Sequence, residues 1–227
     1  MKIGIICAAD EELSPFLPQI EDIKVSEKTM LKFYEGNIGG TEIAAVFSGV
    51  CKVNAAVAAQ ILIDSFGVTA VINSGTAGGM DAKLGIYDTV IATECCYHDV
   101  TENILTEYHP HMETVFFESS PHLLRLSQKA VENLGLRNVY YGRMVTGEAF
   151  ITDEGRGKII ENYAPLSVDM ETAGIAHVCY VNGIPFLSIR CITDTAEHSG
   201  NETFHANCAR ASEIAANLTM EIIKEIR

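Results

Sequence analysis

Short apolar runs alternate along the chain with longer segments in which apolar residues recur at helical spacing. Residues 2–8 form an Ile-rich run ending at Ala9-Asp10-Glu11-Glu12, the pattern of a buried strand passing into an acidic helix start. Residues 31–38 and 42–48 flank Gly39-Gly40-Thr41 and predict a hairpin whose glycines supply positive φ. An Ala-rich helix is predicted over 53–66, then an apolar strand over 70–73. A loop, Gly75-Thr76-Ala77-Gly78-Gly79, closes that strand with three glycines that permit close backbone approach to a ligand. A strand over 88–95 follows, and residues 98–118 mix His, Pro, Thr and acidic residues without period, as a loop or excursion does. Ser119-Ser120-Pro121 supplies cap and first-turn chemistry for a helix to 134. Beyond it come a strand over 139–146 running into Gly147, a helix near 154–162, a short strand over 166–168 and a helix over 170–181. An apolar strand over 185–192 and a long helix over 204–226 complete the pattern.

This order predicts an α/β fold, a three-layer sandwich around a mixed, mainly parallel central sheet, in one domain over residues 1–227. With 48% hydrophobic residues among 227, the chain can fill one sizeable core, and no linker or repeat interrupts it. Thirty acidic residues against sixteen Lys plus Arg leave a formal charge of -14, which repels nucleic-acid phosphates and an anionic membrane surface. No nucleic acid and no membrane partner is therefore expected. Before residue 120 there is no Arg, and only Lys2, Lys24, Lys28, Lys32, Lys52 and Lys83 carry fixed positive charge. The seven cysteines are odd in number, lack a CxxC pair and lie mostly in apolar runs, so reduced thiols in a cytoplasmic setting are expected. The strand-like start shows no leader pattern, and no apolar run approaches the roughly eighteen residues of a membrane span.

In such sheets ligands bind beyond the carboxyl ends of strands. Three polar clusters fall there: Asp10-Glu11-Glu12, the 75–79 loop and Thr193-Asp194. Glu12 can activate water or hold a hydroxyl, although an acidic first turn also suits any helix through its macrodipole. The glycine loop is neither GxGxxG nor a Walker loop, and a turn alone needs such glycines. Val168-Asp169-Met170-Glu171 sets two carboxylates around a methionine able to pack on a sugar face, while Asp169 also suits a helix cap. Glu171 enters an otherwise apolar helix. Arg190 and Asp194 bracket Cys191-Ile192-Thr193 at the end of the most apolar strand, where a charge needs a partner or a ligand. An ion pair between them and Glu171 is the plain structural alternative. His98-Asp99 and His109-Pro110-His111 show no HExxH and no repeated ligand spacing, so no metal is expected.

Taken in order, five motifs resemble the methylthioadenosine/S-adenosylhomocysteine nucleosidases, within the nucleoside phosphorylase superfamily, over nearly the whole chain. They are Ile3-Gly4-Ile5-Ile6 with Glu11-Glu12, Asn73-Ser74-Gly75-Thr76-Ala77-Gly78-Gly79, Gly147-Glu148-Ala149-Phe150-Ile151, Val168-Asp169-Met170-Glu171 and Arg190-Cys191-Ile192-Thr193-Asp194. The resemblance implies hydrolysis of the N-glycosidic bond of a 5′-substituted adenosine to adenine and a 5-substituted ribose, with no metal or organic cofactor. It implies that Asp194 protonates adenine N7 beside Thr193, and that Glu12 activates water with help from Arg190. Glu171 would hold the ribose hydroxyls, Met170 pack on the sugar, Phe150 stack on adenine and the Ile151 backbone read the Watson–Crick edge. Thr76 would sit near water and ribose, with Ala9, Val50, Gly78 and Phe204 completing the binding surface. A small-molecule nucleoside is then the partner, and a homodimer in methionine salvage is implied, the second chain closing the 5′ end.

The alternatives are a purine nucleoside phosphorylase, a futalosine-type hydrolase and a non-catalytic nucleoside-binding relative. A phosphorylase must hold phosphate, usually with arginines, and the N-terminal half has none. Glu12, Glu171 and Asp194 together argue against binding alone. Around the 5′ group the chain departs from the common pattern: Ala9 stands where Met is common, Val50 where Ile is, Thr76 where Ser is and Asp169 where Glu is. Residues 99–117 also lack the usual aromatic pattern. Such wall changes shift selectivity by only about 1–3 kcal/mol, so methylthioadenosine, S-adenosylhomocysteine, 5′-deoxyadenosine and a futalosine all stay open.

Overall fold

The computed structural model describes residues 1–226 apart from 102, 109–111, 153 and 199. Its strands are β1 (Ile3–Cys7), β2 (Glu21–Lys28), β3 (Leu31–Ile38), β4 (Thr41–Phe47), β5 (Ala70–Gly79), β6 (Thr89–Tyr97), β7 (Phe117–Glu118), β8 (Val139–Thr146), β9 (Ser167–Asp169) and β10 (Phe186–Asp194). The helices are α1 (Asp10–Leu13), α2 (Lys52–Phe66), α3 (Ile104–Tyr108), α4 (Pro121–Leu134), α5 (Arg156–Tyr163), α6 (Thr172–Asn182) and α7 (Asn201–Lys224).

These strands join one mixed sheet. Parallel ladders run through β4, β1, β5 and β10 and through β6, β8 and β9, and the antiparallel pairs β10–β6 and β5–β9 close the two sets into a ring. Every residue of β1 and of β10 is buried, which demands cover on both faces. Helices α2 and α6 cover one face through Ala55, Ala59, Leu62, Ala173 and Ile175, and α1, α4 and α7 cover the other through Leu13, Leu123, Ala130, Ala215 and Ile222. The three-layer α/β architecture expected from the alternation is the one the chain adopts.

Three local readings need correction. The stretch 75–79 is not a loop but the continuation of β5. On one edge β5 pairs with β10 as far as Gly78, while on the other it meets β1 over residues 70–73 and β9 over 78–79. Between those two partners that edge is open, and the open edge is where the site forms. Second, Glu21–Lys28, not expected as a strand, forms β2: its only apolar alternation is Ile23 and Val25 among charged and polar neighbours, all eight residues are exposed, and pairing with β3 holds them extended. Third, the 98–118 excursion carries α3 and β7, while His109-Pro110-His111 lie outside the described residues.

The β2–β3 edge depends on one glycine. A Cβ at Gly36 would sit 2.3 Å from the Glu21 carbonyl oxygen and 2.5 Å from Ile20 Cγ2. Gly36→Ala is expected to lower stability by about 1–3 kcal/mol through overpacking, read as a lower urea midpoint with an unchanged slope. An unchanged midpoint would mean that β2 moves aside without cost.

Candidate active site

The open edge of β5 leaves the Thr76 N–H in need of an acceptor, and Glu12 supplies it. As β1 ends, Ala9 adopts an extended conformation and α1 turns the Glu12 side chain back under the sheet end, where it is 4% exposed. Its Oε1 accepts from the Thr76 N–H at 2.7 Å and the Thr76 hydroxyl at 2.9 Å, and its Oε2 from the Ala8 N–H at 2.7 Å. A Cβ on Gly75 would lie 2.5 Å from this carboxylate, so glycine is required here for close approach, not for a turn.

Arg190 lies beneath, with no exposed surface. Its Nη2 is 2.8 Å from Asp169 and 3.3 Å from Glu171, and its Nη1 is 3.8 Å from Glu12 and donates to the Thr76 carbonyl at 3.1 Å. Burial opposes the charge, yet the three carboxylates hold the guanidinium protonated, with its pKa above the ordinary value. The reverse holds for Glu171. Burial pushes its carboxyl up to about 7 against the pull of Arg190, and neighbouring Asp169 and Glu12 add to the rise. Asp169 does cap α6, accepting from the Thr172 N–H, but it also takes the Thr146 hydroxyl at 2.6 Å besides Arg190. Glu171 stands at the N-cap of α6 with φ -131°, not inside the helix as the pattern suggests.

Asp194 sits apart from this cluster and, among the described residues, forms no ion pair with Arg190. It faces the bare backbone of Gly78, where a Cβ would stand 3.2 Å from Oδ2. Burial raises its pKa, more than the Thr193 hydroxyl and the charge of Arg156 lower it. Thr193 Oγ1 is 2.9 Å from Asp194 Oδ1 and 3.3 Å from the Ala77 carbonyl, so its one proton serves either.

A cavity of about 310 Å³ opens over these groups, lined by Ala9, Glu12, Val50, Thr76, Gly78, Phe150, Met170, Glu171, Thr193, Asp194 and Phe204, with His205 and Cys208. A narrow recess of about 30 Å³ continues between Gly78, Phe150, Ile151, Val168, Met170 and Asp194. Phe150 and Phe204 meet edge to face, ring centres 6.1 Å apart. Hollows of about 420 and 510 Å³ elsewhere include neither Glu12, Glu171 nor Asp194 in their walls. Each residue to which the resemblance assigns a role thus lies on the cavity or recess, except Arg190, which supports them from below.

Other groups escape sequence reasoning. Cys51 has φ 85° and ψ 158°, a region that costs a non-glycine residue about 1–3 kcal/mol, and its N–H donates to Glu171 Oε1 at 3.0 Å. Lys52 Nζ reaches both oxygens of Asp99, at 2.8 and 2.9 Å. Arg156, 5% exposed, donates to the Gly79 carbonyl, and its Nε and Nη2 have no partner among the described residues. The one sequence signal for it is a cation in the first turn of a helix, where the macrodipole disfavours it. Among the described residues no group of three or more His, Cys, Asp or Glu could hold a metal, and no helix is long and apolar enough to cross a membrane.

Comparison with known proteins follows from this geometry. The Phosphorylase superfamily profile matches residues 2–224. A 5′-methylthioadenosine/S-adenosylhomocysteine nucleosidase of Exiguobacterium sp. is 35% identical, covering 100% of this chain and 99% of its own. The S. pneumoniae nucleosidase of the same name, solved with the transition-state inhibitor MT-ImmA, superposes with a TM-score of 0.91 at 28% identity, over 100% of both chains. A futalosine hydrolase of Helicobacter pylori superposes with a TM-score of 0.90 at 27% identity, over 99% of this chain and 98% of that one. The chain belongs to the phosphorylase superfamily and, within it, to the 5′-methylthioadenosine/S-adenosylhomocysteine nucleosidases.

Proposed function

We propose that the chain hydrolyses the N-glycosidic bond of 5′-substituted adenosines, methylthioadenosine and S-adenosylhomocysteine first among them, to adenine and the 5-substituted ribose. The observation that carries this reading is the separation of two carboxyl groups into unlike settings. Asp194, raised by burial, borders the narrow recess beside Phe150 and Met170 at one end of the cavity, whereas Glu12, accepting three hydrogen bonds, lines the cavity beside Thr76. Asp194 gives its proton to N7 as the C1′–N9 bond breaks and the electron pair moves into the purine. Glu12 takes a proton from the water that attacks C1′. General acid help of this kind is worth about 10²–10⁴ in rate. Glu171 accepts from the ribose hydroxyls, Met170 packs on the sugar, Phe150 on the base, and the Ile151 backbone reads the base edge. Thr193 steadies Asp194, and Ala9, Val50 and Phe204 wall the 5′ group.

Water, not phosphate, is the nucleophile in this reading. Among the described residues no Lys or Arg lines the cavity, and Arg190 is already engaged by Asp169, Glu171 and Glu12. The resemblance of the fold to a futalosine hydrolase keeps a futalosine as the second substrate class. We place the enzyme in the cytoplasm, in methionine salvage, in keeping with seven free cysteines. We also infer a homodimer. Val53 and Val57, one turn apart on α2, are 71% and 45% exposed, Val50 just before the helix is 47% exposed at the cavity wall, and a second chain would cover them.

Adenine release from methylthioadenosine, S-adenosylhomocysteine, 5′-deoxyadenosine, futalosine and adenosine, with and without phosphate, tests the reading. Phosphate-independent release of a free sugar is expected, and Asp194→Asn should lose about 10²-fold or more in kcat while still binding nucleoside. A ribose 1-phosphate product, or near-normal turnover in the variant, would remove it.

Glu171 adds a pH dependence. Its proton leaves near pH 7, and only the ionised form accepts from both ribose hydroxyls, so affinity for a non-hydrolysable nucleoside analogue should rise as pH increases through about 7. Calorimetric titration at pH 6 and pH 8 checks this. The step should vanish in Glu171→Gln and for an analogue lacking the 2′ and 3′ hydroxyls; its persistence there would assign the titration to another group.

For the dimer, sedimentation equilibrium should give twice the chain mass, and Val53→Asp should shift the population towards monomer with a higher KM. A monomeric parent chain with full activity would refute the inference.

A further inference from the structure

Three segments that flank the cavity are tied together by one cation. Lys52, at the start of α2, places Nζ against both oxygens of Asp99, just past the end of β6, and 3.9 Å from Glu148 in the turn after β8. The backbone closes the same circuit, since the Lys52 N–H donates to Glu148 Oε1 at 3.1 Å and the Glu148 N–H to Asp99 Oδ2 at 2.9 Å. The Lys52 side chain is only 19% exposed and its Nζ lies 5.2 Å from the Tyr97 ring centre, so this is a sheltered pair and not a free surface contact.

Both ends of this circuit reach the site. On one side the residue before Lys52 is the strained Cys51, whose N–H holds Glu171 Oε1; on the other, Glu148 lies two residues before Phe150 and three before Ile151. The approach is built in, because a Cβ on Gly174 of α6 would stand 3.0 Å from the Lys52 carbonyl. A non-glycine residue keeps φ 85° only where its surroundings over-determine it, and the Lys52 contacts are what fix the chain on its C-terminal side.

We propose that Lys52 is a positioning residue for the nucleoside: by gripping Asp99 and Glu148 it sets the Cys51 peptide on Glu171 and holds the turn carrying Phe150 and Ile151, so that sugar and base are bound in one register. This rests on the nucleosidase reading and adds to it a residue that touches neither substrate nor reacting atoms.

The test is a double-mutant cycle between Lys52→Met and Glu171→Gln, read as affinity for a non-hydrolysable 5′-methylthio nucleoside analogue, with kcat and KM for methylthioadenosine alongside. Lys52→Met should weaken the analogue and raise KM by about 10-fold, with kcat changed by less than about 3-fold, and Lys52→Arg should restore most of the loss. In the Glu171→Gln background the same change should cost clearly less than in the parent, because the part of its effect that passes through Glu171 is already lost. Asp99→Asn, which removes the cation's partner and leaves α2 untouched, should show the same coupling and serves where Lys52→Met does not fold. Additive losses, or a lowered Tm with unaltered affinity, overturn the proposal while leaving the nucleosidase reading intact. A parent chain that neither binds nor cleaves adenosine nucleosides removes both.

Discussion

A guanidinium without exposed surface must be neutralised where it lies, and in this chain Arg190 is neutralised more than once. Asp169, Glu171 and Glu12 converge on it, leaving an excess of negative charge that one cation cannot balance. The surplus is met by donors fixed in the backbone and by hydroxyls: Thr76 and Ala8 for Glu12, Thr146 and Thr172 for Asp169, Cys51 for Glu171. These donors come from the ends of β1, β5 and β8 and the starts of α2 and α6, so the charge cluster and the strand ends specify one another. Removing one member of such a buried set leaves an uncompensated charge, which typically costs about 3–5 kcal/mol. The cluster therefore fixes positions more than it adds stability.

The proposed division between acid and base follows from the same constraint. Glu12 stands within the field of Arg190, while Asp194 projects from the end of β10 towards Gly78 and away from that cation. Two carboxyl groups of similar intrinsic acidity are thereby pushed to different tasks by environment alone. In the proposed reaction, protonation of the base and activation of water fall to these two separate groups.

Much of this was legible in the sequence, for physical reasons that also explain what was not. Charges at the end of a fully apolar strand, as at Arg190 and Asp194, demand partners wherever they are placed, so they mark a site without any coordinates. The alternation of apolar runs with helical spacing likewise fixed the layers. Glycines were ambiguous: Gly75, Gly78 and Gly79 read as a turn, yet they continue β5, with Gly75 leaving room for Glu12 and Gly78 for Asp194. Glu171 read as a helix interior residue because its carboxylate is followed by apolar positions, and only the φ of -131° shows that the helix starts after it. Exposed β2 carried only Ile23 and Val25 among charged and polar residues, too short an alternation to mark a strand. The clamp of Lys52 joins residues 47 and 96 positions apart, and no local pattern encodes such a meeting.

What differs between the two ends of the site is the material that builds them. In the proposed binding mode the base and ribose rest on strands β5, β9 and β10 and on the charge cluster, where a shift of one side chain disturbs several others. The 5′ end is framed by Ala9, Val50 and Phe204, from short connections and the first turn of α7, with Val50 still 47% exposed. Few hydrogen bonds constrain such a wall, and each methyl group gained or lost there changes selectivity by only about 1–3 kcal/mol. The chemistry is therefore set by parts of the fold that can hardly vary, and the 5′ substituent by parts that vary at little cost. That asymmetry explains why one architecture, at closely similar TM-scores, carries both an S. pneumoniae methylthioadenosine/S-adenosylhomocysteine nucleosidase and an H. pylori futalosine hydrolase.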